Sequence, residues 1–130
     1  MVDLTRQALQ EVGVALDGAR IAVLGYAYLE NSDDTRNSPT VPFVEALRAA
    51  GAEVVIHDPF VQEYATDLSG VVSGADCVVV MVRHDEYEDL GLGGLRNRLR
   101  HAVLVDGRNV FDKQQARAAG FTYVGVGNAI

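Results

Sequence analysis

RIAVLGYAYLENSDDTRNSP, residues 20–39, carries the reading of the fold. An apolar, β-branched run breaks at Gly25 into a polar loop that holds Asp33, Asp34 and Arg36. Ser38 and Pro39 then make the N-cap and first position of a helix, where a missing N–H is harmless. Strand, loop and helix in this order open a nucleotide-binding α/β unit, but the loop lacks a dinucleotide fingerprint. Such a turn needs one glycine for the tight bend, a second for backbone approach to a pyrophosphate and a third for helix packing. Here the spacing that starts at Gly25 continues with Ala27 and Glu30. A glutamate repels a pyrophosphate, and the long segment before Pro39 carries the helix N-terminus away from the strand end. NAD is not expected on this loop.

Outward from this stretch, the chain alternates short apolar runs with helical patterns. Strands are expected at residues 21–24, 54–57, 77–82, 102–105 and 122–124. Near-continuous apolar runs of this kind suit parallel strands covered on both faces. Helices are expected at 1–16, 39–50, 92–99 and 113–119, whereas 71–74 is long enough only for a turn. The alternation implies right-handed crossovers and a Rossmann-like, doubly wound open parallel sheet in a three-layer αβα arrangement, with five strands in the order 2-1-3-4-5. Ligands then bind outside the carboxyl ends of the strands, at the switch point between strands one and three. Loops 26–38, 83–89 and 106–112 should line that site, with His57, Asp58 and Pro59 farther along the rim.

The chain has 130 residues, the size of one domain, and a formal net charge of -7. That acidity argues against nonspecific nucleic-acid or anionic-membrane binding, which rest on excess Lys and Arg. The single cysteine, Cys77, lies within CVVVMV and is read as core, and its lack of a disulfide partner fits a cytoplasmic protein. No run of about eighteen apolar residues supports a membrane span.

Arg108 is the leading ligand-binding candidate. It follows Asp106-Gly107, where Gly107 is expected to adopt a positive φ and project the arginine toward a phosphate or carboxylate. A turn arginine paired with a nearby acid is the alternative. Arg36 has Asp33 and Asp34 close behind it, so a loop ion pair competes with ligand contact. The adjacent carboxylates make a poor metal cage without a histidine, and no metal site is expected. His57, His84 and His101 show no ligand spacing and are read as surface or hydrogen-bonded structural residues.

The chain resembles the NAD-dependent nucleotide-sugar 6-dehydrogenases, specifically their C-terminal nucleotide-sugar-binding domain. The likeness covers about residues 4–127 in order: ALDGARIAVLG, the GYAY loop, DDTRNSP, GAEVVIHDP, ADCVVVMVRHDEY, LVDGRN and GFTYVGVG. DDTRNSP and DGRN at this separation are its specific parts. The resemblance implies that the stretch at Tyr26, Tyr28 and Leu29 packs on the base and phosphates of a UDP-sugar. It also implies that Arg36 lies in a loop shaping the same pocket and that Arg108 reaches the phosphates or sugar. Leu29 departs from the family pattern, which has lysine there.

The resemblance further implies a helical lead-in at residues 1–18 from a middle domain, then a nucleotide-sugar-binding domain at 19–130. In the family, an NAD-binding domain and a middle segment with the catalytic cysteine complete a homodimeric enzyme that oxidises a sugar C6 alcohol to a carboxylate. Nothing here matches those parts, so this chain is expected to hold no catalytic residue and no cofactor, and to be inactive alone. A stand-alone module that senses sugar nucleotides, or a structural one, is the alternative.

Overall fold

The computed structural model describes residues 1–126, so Gly127 of the GFTYVGVG run and the end of the 19–130 unit lie outside the described residues. Its elements are α1 (Val2–Gln10), β1 (Arg20–Leu24), α2 (Thr40–Ala49), β2 (Glu53–His57), α3 (Leu68–Val72), β3 (Cys77–Val80), α4 (Asp85–Glu88), α5 (Leu92–Arg98), β4 (Val103–Asp106), α6 (Lys113–Ala118) and β5 (Thr122–Gly125). All neighbouring strands pair in parallel, in the order β2-β1-β3-β4-β5. This is the arrangement expected from the alternation, and it puts the switch point between β1 and β3.

Strand alternation sends side chains to two cores. Ile21, Val23, Cys77, Val79, Val103 and Val105 meet α1 and α2 on one face, through Leu9, Val44 and Leu47. Ala22, Leu24, Val78, Val80 and Leu104 meet α3 to α6 on the other, through Val72, Tyr87, Leu95 and Ala116. Both faces are covered, which is why the strands are apolar almost throughout. Cys77 is fully buried, and burial pushes its thiol pKa well up.

Several element limits differ from the sequence expectation. The first helix stops at Gln10 rather than reaching residue 16, because Gly13 takes φ +76° and Val14 N–H turns back to Leu9 O. Leu16 is buried even though it lies beyond the helix. The run at 77–82 ends its regular pairing at Val80, although Met81 N–H still donates to Leu24 O. The expected turn at 71–74 is instead a helix from Leu68, opened by Asp67, whose carboxylate accepts from Ser69 N–H. The loop at 83–89 contains α4, which buries Tyr87. Helix α2 starts one residue late, after Pro39, with Ser38 Oγ accepting from Thr40 N–H.

Buried aspartates shape the carboxyl rim. Asp58, just past β2, is fully buried; its Oδ2 accepts from Tyr26 N–H (2.7 Å), Ala27 N–H (2.9 Å) and His84 Nε2–H (2.9 Å), and its Oδ1 from Phe60 N–H (2.8 Å). Burial by itself would raise this carboxyl, but the hydrogen bonds from His84 and the three amides outweigh it and hold the pKa at about 2. Asp106, the last residue of β4, accepts from the N–H groups of Arg108, Val110 and Phe111 and from the Tyr123 hydroxyl.

Two outcomes follow for stability. Gly25 sits at φ +101°, and a Cβ there would lie 2.6 Å from Val82 Cβ and 2.7 Å from Val82 N. Gly25→Ala should therefore cost roughly 2–5 kcal/mol, from left-handed strain plus overpacking, and urea denaturation with an unchanged midpoint would contradict this close packing. For Asp58, a folded pKa of about 2 below an unfolded value of about 3.9 means that its stabilisation is present above pH 4 and lost as pH falls toward 2. The loss is about 2–3 kcal/mol. Asp58→Asn should remove that share of the acid dependence, and a melting-temperature profile between pH 5 and pH 2.5 parallel to wild type would rule it out.

Candidate functional site

The loop after β1 is built on its own backbone amides. The N–H groups of Tyr26 and Ala27 point at one carboxylate oxygen of Asp58. In a dinucleotide-binding turn, amides at this place face a pyrophosphate. Here an internal anion already holds them, so the residues present do not fit NAD at this position.

Beyond Ala27 the loop folds on itself. Tyr28 N–H donates to Asp34 O at 2.6 Å, and Asn31 takes the left-handed conformation (φ +54°). Asn31 N–H donates to His84 Nδ1 at 2.8 Å, and Asn31 Oδ1 accepts from Asp85 N–H at 3.2 Å. These bonds join the loop after β1 to the start of α4, across the switch point.

The proposed ligand contacts fall in different surroundings. Tyr26 is half-buried, its ring 4.9 Å from that of Tyr64. Tyr28 and Leu29 are exposed, at 43% and 55% of their surface. Arg36 forms the loop ion pair, with Nε and Nη2 on the Asp34 carboxylate at 3.0 and 2.9 Å, and its hydrogen bonds hold the Asp34 pKa at about 2. Arg108 lines an open cavity of about 370 Å³ with Met1, Pro39, Met81, Gly107 and Val126. Tyr26, Tyr28, Leu29 and Arg36 lie outside that lining, on the neighbouring loop.

The Arg108 guanidinium is held in place without an acid. Its Nε–H donates to Met81 O at 3.1 Å, and among the described residues no ion pair engages its guanidinium. The expected positive φ at Gly107 is not found; the left-handed residue is Asn109 (φ +54°). Glycine is needed at 107 for another reason, since a Cβ would come within 2.7 Å of Val80 O. The start of α2 flanks the same cavity through Pro39, and next to it the buried Thr40 hydroxyl has no hydrogen-bond partner among the described residues. An arginine, a helix start and close backbone approach at one concavity suit an anionic ligand.

Of the two readings the sequence left for His57 and His84, surface or hydrogen-bonded structural residues, the structure shows the second; what the sequence missed is their partners. His84 is fully buried between Asp58 and Asn31. His57 is buried with Nδ1 on the Tyr87 hydroxyl (2.9 Å), which itself donates to His57 O. Burial pushes the His57 pKa down, with Glu86 and Asp58 opposing. The available signal was an aspartate directly after an apolar strand, in IHDP and in LVDG, where a short acceptor can take the next loop's amides. Among the described residues no group of three or more His, Cys, Asp or Glu could hold a metal ion, and no helix is long and apolar enough to cross a membrane.

Comparison with known proteins places the chain in a family. The model of the UDP-glucose/GDP-mannose dehydrogenase family, UDP binding domain, matches residues 22–113. UDP-N-acetyl-D-mannosamine dehydrogenase of Pyrococcus horikoshii is 37% identical over 121 residues, covering 93% of this chain and 28% of the relative. UDP-glucose 6-dehydrogenase of Rhizobium meliloti is 32% identical over 94% of this chain and 30% of its own length. The solved structure of NDP-N-acetyl-D-galactosaminuronic acid dehydrogenase from Methanosarcina mazei Go1 superposes with a TM-score of 0.93 at 36% identity, over 98% of this chain and 28% of that one. The chain thus spans less than a third of the length of these relatives. On the match of sequence and fold, the chain belongs to the UDP-glucose/GDP-mannose dehydrogenase family as its UDP binding domain.

Proposed function

We propose that this domain binds the nucleotide part of a UDP-sugar at the carboxyl rim, within an NAD-dependent nucleotide-sugar 6-dehydrogenase. The observation that carries the reading is Arg108: a guanidinium anchored by Nε to Met81 O, without an ion pair among the described residues, lining a cavity at the carboxyl ends of β3 and β4. Its Nη groups serve the diphosphate. Tyr26, Tyr28 and Leu29 form the wall beside the base and phosphates, and Arg36, through Asp34, keeps that loop in shape.

The remaining parts of the enzyme are proposed on the family likeness. NAD-binding and middle domains, the latter with a cysteine nucleophile, complete a cytoplasmic homodimer that oxidises the sugar C6 alcohol to a carboxylate. Residues 1–18 lead in from the middle domain. NAD does not fit the β1 loop, whose amides Asp58 occupies, so this domain contributes substrate binding and no redox step. A non-catalytic module that senses sugar nucleotides, or a structural one, is the second reading. Leu29 favours it, as an exposed apolar side chain on the loop that should face phosphate.

Calorimetric titration tests both readings. UDP-glucose should bind and NAD should not. Arg108→Ala should weaken UDP-glucose by about one to two orders of magnitude, the loss of a charge-assisted contact, with little change in the melting temperature of the free domain. Equal affinity in wild type and Arg108→Ala would move the site. Leu29→Lys should raise the affinity, and added salt should shrink the gain because the attraction is screened; no gain would favour the structural reading.

A further inference from the structure

His84 ties the two ends of the ligand-facing segment together. At the start of that segment, Tyr26 and Ala27 donate to Asp58 Oδ2, the atom that also receives His84 Nε2–H. At its end, Asn31 N–H donates to His84 Nδ1. Because Nδ1 accepts, the ring proton sits on Nε2, and the imidazole is neutral in this arrangement. The exposed Tyr28 and Leu29 hang between these anchors.

His84 is fully buried, with the rings of Phe60 and Tyr87 4.9 and 5.6 Å from its own. The imidazole is thereby held between its two anchors, Asp58 on Nε2 and Asn31 on Nδ1.

We propose that His84 is a positioning residue for the UDP-sugar: its ring, donating to Asp58 and accepting from Asn31, sets the shape of segment 26–31 that the ligand meets. This rests on the reading of the rim as the UDP-sugar site.

The test is calorimetric titration of UDP-glucose into wild type and two variants. In His84→Gln the amide can accept from Asn31 and donate to Asp58, so its affinity should stay within about threefold of wild type. His84→Leu can make neither bond and should bind about tenfold more weakly, the scale of one lost hydrogen bond, with an unchanged far-ultraviolet circular dichroism spectrum. In spectra labelled with nitrogen-15, the Asn31 amide should shift in His84→Leu. A His84→Leu that binds as wild type, a His84→Gln as weak as His84→Leu, or an Asn31 amide unmoved in His84→Leu would overturn the role of His84 and leave the site standing. A wild type that does not bind UDP-glucose would overturn the site reading, and this inference with it.

Discussion

The Asp58 carboxylate is the constraint on which the rim depends. A buried charge is costly unless hydrogen bonds replace its water, and here three backbone amides and one imidazole N–H do so. The exchange works in both directions: the charge is satisfied by the loops, and the loops receive their shape from the charge. The amides of Tyr26 and Ala27, which in a dinucleotide-binding turn would face a pyrophosphate, are turned inward onto this carboxylate.

Asp106 repeats the device on the far side of the switch point. Its acceptors gather the amides of the loop after β4 and the buried Tyr123 hydroxyl, whose pKa burial and then the Asp106 hydrogen bond push up. Between the two aspartates lies the end of β3, where Met81 O holds Arg108. Arg108 is thus positioned from two strands at once: it follows β4, whose last residue Asp106 shapes the turn, and the end of β3 orients the guanidinium. Such over-determined placement limits the conformational entropy an exposed arginine would lose on gripping a ligand.

At the opposite end of the sheet a third buried aspartate works on the frame alone. Asp76 accepts from Arg20 N–H at 2.8 Å and from His101 Nδ1 at 2.9 Å, tying β1 and the lead-in to β4 onto the start of β3. Pairs at that end close the sheet, whereas those at the carboxyl end aim loops. The difference is topological, since the crossovers diverge only at the switch point and leave a crevice there.

The sequence by itself determined the five strands and their order, because apolar runs, helix periods and crossover handedness are local or nearly local facts. The place of Arg108 in a turn directly after a strand was legible for the same reason. What only the tertiary structure decided is which polar groups meet. Asp58 finds Tyr26 across 32 positions, and His84 finds Asn31 across 53; no periodicity records such pairings. The need for glycine at 107 likewise came from a neighbouring strand's carbonyl and not from its own φ. Secondary structure follows from each segment's own pattern, whereas a buried hydrogen-bond network exists only once the strands bring distant carboxylates, rings and amides within 3 Å of one another.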